Sequence, residues 1–288
     1  MPIIEERITA QYTAINLPTS VATNSFVEPF RCCDEKLLVL AHATETETYK
    51  NDITSAWIKL SSASDTIVFN LTKNDIATTY VPVNVAFSDQ PFSWYTTIKW
   101  KDVLNIDGAG CYKLTLNYNI GGIVGTLVWG IYELKPYSIF TAQNTARLRV
   151  KFNLQQEIEG INFTNSNVED SIRFFGFIGE RQPNMEIDNL VYQNRNMKTV
   201  VRENLNTWQI KTDPYSNGII DLLTDLYLLS ENELFISDYN QFNHTHSILD
   251  IPVIVKESPE IDYLVNYQRK AVLTCEVGDK IVNKRTHY

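Results

Sequence analysis

The sequence predicts a mainly β protein that consists of two antiparallel β-sandwich domains of the jelly-roll kind. Three observations lead to this fold class. Apolar residues recur at every second position in many short segments, turn-forming pairs separate several of these segments, and only one stretch has helical spacing. Because successive side chains of a strand leave opposite faces, such alternation predicts antiparallel sheets with one face toward solvent.

The strands follow from this alternation in chain order. From Cys111 to Ile120, apolar or aromatic side chains alternate with Lys, Thr and Asn. From Ala146 to Leu154, the pattern predicts that Leu148, Val150 and Phe152 point inward. Further strands are predicted at Ala56–Leu60, Asp65–Thr72, Ser171–Gly179, Glu233–Ser237, Ile251–Val255 and Ala271–Val277.

Pairs of turn-forming residues predict the connections. Asp107-Gly108 and Gly121-Gly122 are typical of tight β-hairpins. Pro or Gly also marks loops at Asp213-Pro214, Asn217-Gly218 and Ser258-Pro259. Frequent turns between short strands favour sandwiches over a single extended sheet.

One short helix is predicted near residues 219–229, where Ile219, Leu222 and Leu226 share a helical face. Its apolar character predicts burial against a sheet. A boundary is predicted near residues 135–144, which divides the chain into an N-terminal sandwich (1–140) and a C-terminal sandwich with the helix (141–288). The first 30 residues are expected to form either an extended arm that crosses to another subunit or an edge strand.

Composition excludes several classes of protein. The 288 residues include 25 Lys and Arg against 34 Asp and Glu, a net charge of −9, which disfavours a DNA-binding role. No apolar run approaches the roughly 20 residues that a membrane span requires. The N-terminus has no apolar signal-peptide core, so we expect the chain to be made and kept in a cytoplasm. Its polar residues are rich in amides and hydroxyls, with 26 Asn and 26 Thr.

Catalytic signatures are not found in the sequence. The glycine-rich stretch 121–125 is not followed by the Lys and helix of a phosphate-binding loop. There is no Gly-x-Ser-x-Gly motif, and the carboxylate pairs are those of any acidic protein. We therefore expect a protein that is not an enzyme and that uses no cofactor.

Two histidines, His244 and His246, form the most metal-like feature of the sequence. In an extended segment, their imidazoles would lie on one face and could bind a metal ion together. Asp238 and Asp250 flank them. A structural zinc site normally needs four ligands, however, and no cysteine pair is near, so a polar surface turn is the alternative.

Two further groups are candidates for binding. Trp94 and Trp100 lie in an aromatic stretch that could form a glycan platform, a subunit contact or simply part of the core. Arg147, Arg149 and Lys151 are predicted on the outward face of one strand. They could bind an acidic neighbouring subunit, or they could form a solvated or ion-paired face.

The strand order and side-chain pattern of the second half resemble neck and tail ring proteins of crAss-like tailed phages. The resemblance rests on the run 137–162, on the strand from Ser171 to Gly179, on Thr207-Trp208-Gln209-Ile210, on the apolar helix, and on the strand and turn 234–240. It is a likeness of pattern and composition that covers mainly the second half of the chain.

The resemblance implies a virion structural protein that assembles rather than catalyses. It implies a cyclic ring of about six or twelve copies, in contact with the portal and with other neck or tail ring proteins. Partners in a membrane are not expected. A carbohydrate-binding sandwich and a head decoration or fibre-base protein are the alternatives.

Overall fold

The structure is a computed structural model that describes residues 36–44, 51–59, 66–88, 90–120, 122–152, 157–158, 161–179, 181–191, 197–228, 233–239, 248–264, 270–280 and 283–286. The protein is mainly β, which confirms this part of the predicted fold class. The predicted N-terminal arm lies outside the described residues.

Two sheets form the N-terminal half. The first has five strands in the order β1-β8-β7-β3-β4, and β1 pairs with β8 in parallel. Its strands are β1 (Leu37–Ala41), β3 (Thr66–Lys73), β4 (Ile76–Ala77), β7 (Gly110–Ile120) and β8 (Ile123–Pro136). The second has three strands, β2 (Ile53–Lys59), β6 (Ser93–Lys99) and β5 (Val85–Ala86), in that order. The alternation that predicted strands at 56–60, 65–72 and 111–120 is thus confirmed.

A helix that the sequence analysis missed follows β6 directly. Helix α1 (Trp100–Asp107) buries Trp100 and Val103. It ends at Gly108, which has a φ of 76° and donates its N–H to the carbonyl of Leu104. The prediction of a hairpin at Asp107-Gly108 is therefore wrong: this glycine ends a helix in the left-handed region, where a side chain would be strained.

The second half is built around a closed six-stranded antiparallel barrel. Each strand pairs with the next in the order β9-β12-β14-β19-β17-β16, and β16 pairs with β9 to close the ring. The strands are β9 (Thr145–Lys151), β12 (Glu169–Ile178), β14 (Met197–Thr212), β16 (Glu233–Asp238), β17 (Ile248–Val255) and β19 (Lys270–Asp279). The strands were predicted, but their closure into a barrel was not, because alternation within a strand carries no information on its neighbours.

A long ribbon extends from the barrel. The first half of β14 leaves the barrel and pairs with β13 (Gln182–Val191) on one side and β20 (Asn283–Thr286) on the other. From Thr207 to Met197 this strand runs about 33 Å at the usual rise per residue. Four short strands complete the set: β10 (Glu157–Ile158), which pairs with β11 (Ile161–Asn162), β15 (Tyr215–Ser216) and β18 (Glu260–Leu264).

Two further helical segments lie after the N-terminal sheets in the chain. Helix α2 (Ile139–Ala142) starts with a capping box, in which Ser138 and Thr141 bond each other's backbone N–H. Helix α3 (Asn217–Leu222) continues into a π-helical segment, Leu223–Leu228, and both bury their apolar side chains. Helix α3 and the π-helical segment together confirm the helix that was predicted near residues 219–229, as far as the described residues reach.

The core joins the two halves. Leu148, Val150 and Phe152 point inward as predicted, and the same cluster of buried side chains contains Trp57 and Leu114 from the N-terminal sheets. Strands β1 and β2 pack against β12 of the barrel. One face of the barrel is therefore covered by the N-terminal half, and this contact positions the charged side chains described next.

Candidate functional site

The cationic face of β9 is buried beneath the N-terminal half at its Arg147 end and partly exposed at its Lys151 end. Arg147, Arg149 and Lys151 point away from the barrel interior, as the alternation predicted. However, Arg147 is only 1% exposed, so it does not face solvent or another subunit, and the ion-paired face, which was the other predicted alternative, is the one observed. The reason is that Asn51 and Asp52, directly before β2, lie against Arg147, and these residues were assigned to a separate domain.

The centre of this junction is a buried ion pair between Asp52 and Arg173. Nε of Arg173 lies 2.9 Å from Oδ2 of Asp52, and Nη2 lies 3.0 Å from Oδ1. The third guanidinium nitrogen, Nη1, donates to Oγ1 of Thr145 at 3.0 Å. Oδ2 of Asp52 also accepts the backbone N–H of Leu40 at 2.7 Å. Two parallel bonds between a planar guanidinium and a carboxylate fix both position and orientation.

Arg147 links this pair to a second carboxylate. Its Nη1 lies 3.5 Å from Oδ1 of Asp52, and its Nη2 lies 2.8 Å from Oδ1 of Asp250. Nη2 is also 3.4 Å from Oγ of Ser237, and Nη1 is 3.4 Å from the carbonyl of Asn51. The guanidinium therefore bridges the N-terminal half and two strands of the barrel.

Asp250 is aimed at the arginines by an irregularity in β17. The register between β16 and β17 shifts at this point, and Asp250 has a φ of 49°. Its N–H donates to Oγ of Ser237 at 2.9 Å. The carboxylate accepts from Nε and Nη2 of Arg149 at 3.3 and 3.0 Å, in addition to Arg147. A bulge that re-aims a side chain is a usual role for such an irregularity.

The outer end of the cluster is partly exposed. Nη1 of Arg149 lies 3.3 Å from Glu169, and Lys151 lies 3.5 Å from the same carboxylate. The Arg149 guanidinium stacks over the ring of Phe235 at 4.1 Å, and Arg173 lies 4.9 Å from the ring of Tyr239. Such contacts stabilise a cation where its hydration is reduced.

The junction cluster (Asp52, Arg147, Arg149, Lys151, Glu169, Arg173 and Asp250) thus supplies its own counter-ions. The carboxylates that pair with Arg147, Arg149 and Lys151 belong to the same chain, which agrees with the predicted ion-paired face and not with an acidic neighbouring subunit. Sequence reasoning missed Asp52 and Arg173, although Arg173 between Ile172 and Phe174 carried a signal, since it interrupts an apolar run. The geometry suits the joining of two β-layers rather than chemistry on a bound molecule.

The two candidate tryptophans have different surroundings. Trp100 is fully buried, donates from Nε1 to Oγ1 of Thr54 at 2.8 Å, and packs against Tyr112 and Tyr132. The interpretation of Trp100 as an exposed glycan platform or subunit contact is therefore wrong, because the helix that begins there turns the ring into the core. Trp94 is half-buried and packs against the same core.

The histidine pair cannot be placed, since His244 and His246 lie outside the described residues. The flanking aspartates have other partners. Asp238 accepts the N–H of Ile178 at 2.6 Å, and Asp250 belongs to the junction cluster. Within the residues that the structure describes, no three His, Cys, Asp or Glu side chains come together as a metal-binding group.

Two groups of exposed apolar side chains, called patches below, lie outside this junction. The aliphatic patch, in the N-terminal half, consists of five side chains that are 38% to 72% exposed: Ile76, Val81, Val83, Val85 and Ile106. The aromatic patch, on the barrel side, consists of four that are 36% to 78% exposed: Ile139, Phe140, Phe175 and Phe177. The sequence analysis predicted neither patch, because the residue type alone does not distinguish an exposed apolar side chain from a buried one.

Comparisons with known proteins give no assignment. No protein-family model matches the chain, and no curated protein matches it in sequence. Within the described part of the chain, no helix is both long and apolar enough to cross a bilayer. The function is therefore argued from the surfaces of the molecule.

Replacing Asp250 by Asn should flatten the dependence of stability on pH. Burial would raise the pKa of Asp250, but Arg147 and Arg149 outweigh it and hold this pKa below its ordinary value. A carboxylate with a depressed pKa stabilises the fold above its unfolded pKa of about 3.9. That stability is lost as the pH falls through the lower pKa of the folded state.

The measurement is urea unfolding of wild type and Asp250→Asn at several pH values between 7 and 3. We expect the variant to lose about 2 kcal/mol at pH 7 and progressively less toward pH 3. Asp262→Asn, on an exposed part of β18, is the control for the loss of one surface carboxylate. Parallel profiles of wild type and Asp250→Asn would contradict the prediction.

Proposed function

We propose that the chain is a structural subunit of a tailed-phage virion, which forms a ring in the neck or tail. The ring would contain about six or twelve copies and would contact the portal and other neck or tail ring proteins. The proposal combines the resemblance of the second half to such ring proteins with the surfaces described above. It assigns the chain no catalytic role, no cofactor and no DNA contact.

The observation that carries this proposal is the presence of two separate apolar patches on one chain. The largest apolar patch of a typical monomer covers about 300–600 Å² and is often functional. Here two groups of exposed apolar side chains, the aliphatic patch and the aromatic patch, lie on different halves of the molecule. Since the cations of the junction cluster are paired internally, the apolar patches are the better candidates for contacts between subunits.

The finer features of the predicted fold belong to this proposal. They are a division near residue 140 into two jelly-roll-like units, and an N-terminal arm within the first 30 residues. The covered face of the barrel supports a fixed arrangement of the two halves, as a ring subunit requires. Localisation in the virion, after synthesis in a host cytoplasm, is part of the same proposal.

The test is the position of the protein in a native particle. Cryo-electron microscopy of the phage that encodes the chain should show several copies in cyclic symmetry between the portal and the tail. Density on the capsid surface would instead assign a decoration or fibre-base protein. A single copy, or no copy in the purified virion, would contradict the proposal.

A further inference from the structure

We infer that the aliphatic patch of one copy binds the aromatic patch of the next copy in a head-to-tail contact. The inference rests on the proposed function, because it names the surfaces through which the ring would form. A second copy of this chain is the partner to which it commits. One patch is aliphatic and the other is largely aromatic, and they lie on different halves of the chain. A head-to-tail contact therefore involves the aliphatic patch of one copy and the aromatic patch of the next.

The aliphatic patch is held in place by hydrogen bonds to neighbouring elements. The carboxylate of Asp107, at the end of α1, accepts the N–H groups of Thr79 and Tyr80, both at 2.9 Å. The side chain of Asn84 bonds the edge of β3, donating to the carbonyl of Ile67 at 2.9 Å. The segment that exposes Val81, Val83 and Val85 is thereby fixed before any partner binds. A preformed surface loses less conformational entropy on association.

The aromatic patch continues the covered face of the barrel. Residues 173, 175 and 177 of β12 share one face, but the N-terminal half covers Arg173 and leaves Phe175 and Phe177 exposed. The N–H of Gly176 donates to the carbonyl of Asn144, which ties the end of β12 to the segment that follows α2. Phe140 of α2 is the most exposed residue of this patch. Aromatic side chains are enriched where protein surfaces associate.

The exposed area is sufficient for a specific contact. The five aliphatic side chains expose about 300 Å² of apolar surface at the usual area per side chain. The aromatic patch exposes about 350 Å² on the same basis. Since roughly 60% of an interface is apolar, the two together indicate about 1,100 Å² of total buried area. This exceeds the approximately 1,000 Å² expected of a biological interface.

A contact between unlike patches covers both of them, whereas a contact of each patch with the same patch of another copy covers only one. If the aliphatic patches of two copies bound each other, the aromatic patches would stay in water. If the aromatic patches bound each other, the aliphatic patches would stay in water. A contact between unlike surfaces repeats from copy to copy, and it closes into a ring when the rotation allows. The head-to-tail arrangement therefore buries both patches with one type of interface.

The experiment uses one charged substitution in each patch of the full-length chain. Val81→Asp alters the aliphatic patch, and Phe140→Asp alters the aromatic patch. Ile254→Asp is the matched control, since Ile254 is exposed on β17, which lies opposite β12 in the strand order of the barrel. Because all three side chains are exposed, the melting temperatures should stay close to that of wild type. Mass is measured by sedimentation velocity and native mass spectrometry.

We expect wild type and Ile254→Asp to form closed oligomers, and each patch variant alone to be monomeric. Self-association should weaken by at least about 30-fold. An equimolar mixture of Val81→Asp and Phe140→Asp should form a 1:1 dimer, because each variant retains the surface that the other lacks. A contact of each patch with the same patch of another copy would give no such mixed dimer, and a wild-type assembly that stops at a dimer would indicate a two-fold contact in place of the head-to-tail one.

Oligomers that persist in both variants, or a mixture that stays monomeric, would overturn the head-to-tail contact. A wild-type chain that is still monomeric at about 100 µM would also overturn it, because the dissociation constant of the contact would then be weaker than that concentration. None of these results would contradict the proposed function, which is decided separately by the position of the protein in the particle. Absence from the particle would contradict the proposed function whatever the oligomers show.

Discussion

Replacing Asp52 by Asn is expected to lower the free energy of unfolding by about 3–5 kcal/mol. Asp52 is 1% exposed, and its carboxylate is paired with Arg173 and approached by Arg147. Removing its charge leaves Arg173 buried without its carboxylate partner, and a buried cation without compensation is strongly destabilising. Urea unfolding at pH 7, followed by tryptophan fluorescence, measures the loss.

The control for this prediction is an aspartate in an exposed ion pair. Asp75→Asn removes the partner of Lys113, and its side chain is 79% exposed, so the loss should stay within about 1 kcal/mol. The double variant Asp52→Leu with Arg173→Met should recover part of the loss, because it removes both charges and keeps the volume. Equal losses for Asp52→Asn and Asp75→Asn would show that the buried pair does not hold the two halves together.

The strands were predictable because burial on one face leaves a period of two in the sequence. The run from Cys111 to Ile120 and the run around Leu148 both lie in strands with their apolar side chains buried. The helix near 219–228 was predictable for a similar reason, since its apolar residues follow helical spacing. Patterns of this kind depend only on residues that are near each other in the chain.

Features that depend on distant residues were not predictable. Arg147 occupies an outward position in β9, and only the packing of β1 and β2 against β12 turns this position into a buried one. Helix α1 was missed because Trp100 follows β6 without a break, and only two of its eight residues are buried. Asp250 was considered as a neighbour of a metal site, but a bulge in β17 aims it at two arginines.

The junction cluster and the proposed ring are connected by geometry. The aliphatic patch belongs to the N-terminal half, and the aromatic patch belongs to the barrel side. A head-to-tail ring closes only if the angle between its two contact surfaces is fixed. In the proposed assembly, the bidentate pair between Asp52 and Arg173 would set this angle, because its geometry admits one orientation of the two halves. Asp52→Asn is therefore expected to broaden the distribution of oligomer sizes.

Replacing Trp57 by Ala should destabilise the protein by about 3–5 kcal/mol. Trp57, on β2, is fully buried at the centre of an aromatic cluster. Its ring centroid lies 5.7 Å from that of Trp129, and 5.3 Å from those of Phe152 and Phe163. Phe152 follows β9 of the barrel, so the cluster joins the two halves. Truncation leaves a cavity that close-packed neighbours fill only in part.

Trp57→Phe separates the contribution of ring packing from that of the indole nitrogen. Among the described residues, Nε1 of Trp57 has no hydrogen-bond partner, so phenylalanine removes a buried N–H at little loss and keeps an aromatic ring in place. We expect this variant to lose less than half as much stability as Trp57→Ala. Phe140→Ala, at an exposed ring, should change the stability by at most about 0.5 kcal/mol. If Trp57→Ala lost no more than Phe140→Ala, the aromatic cluster would not be the joint between the two halves that its ring geometry indicates.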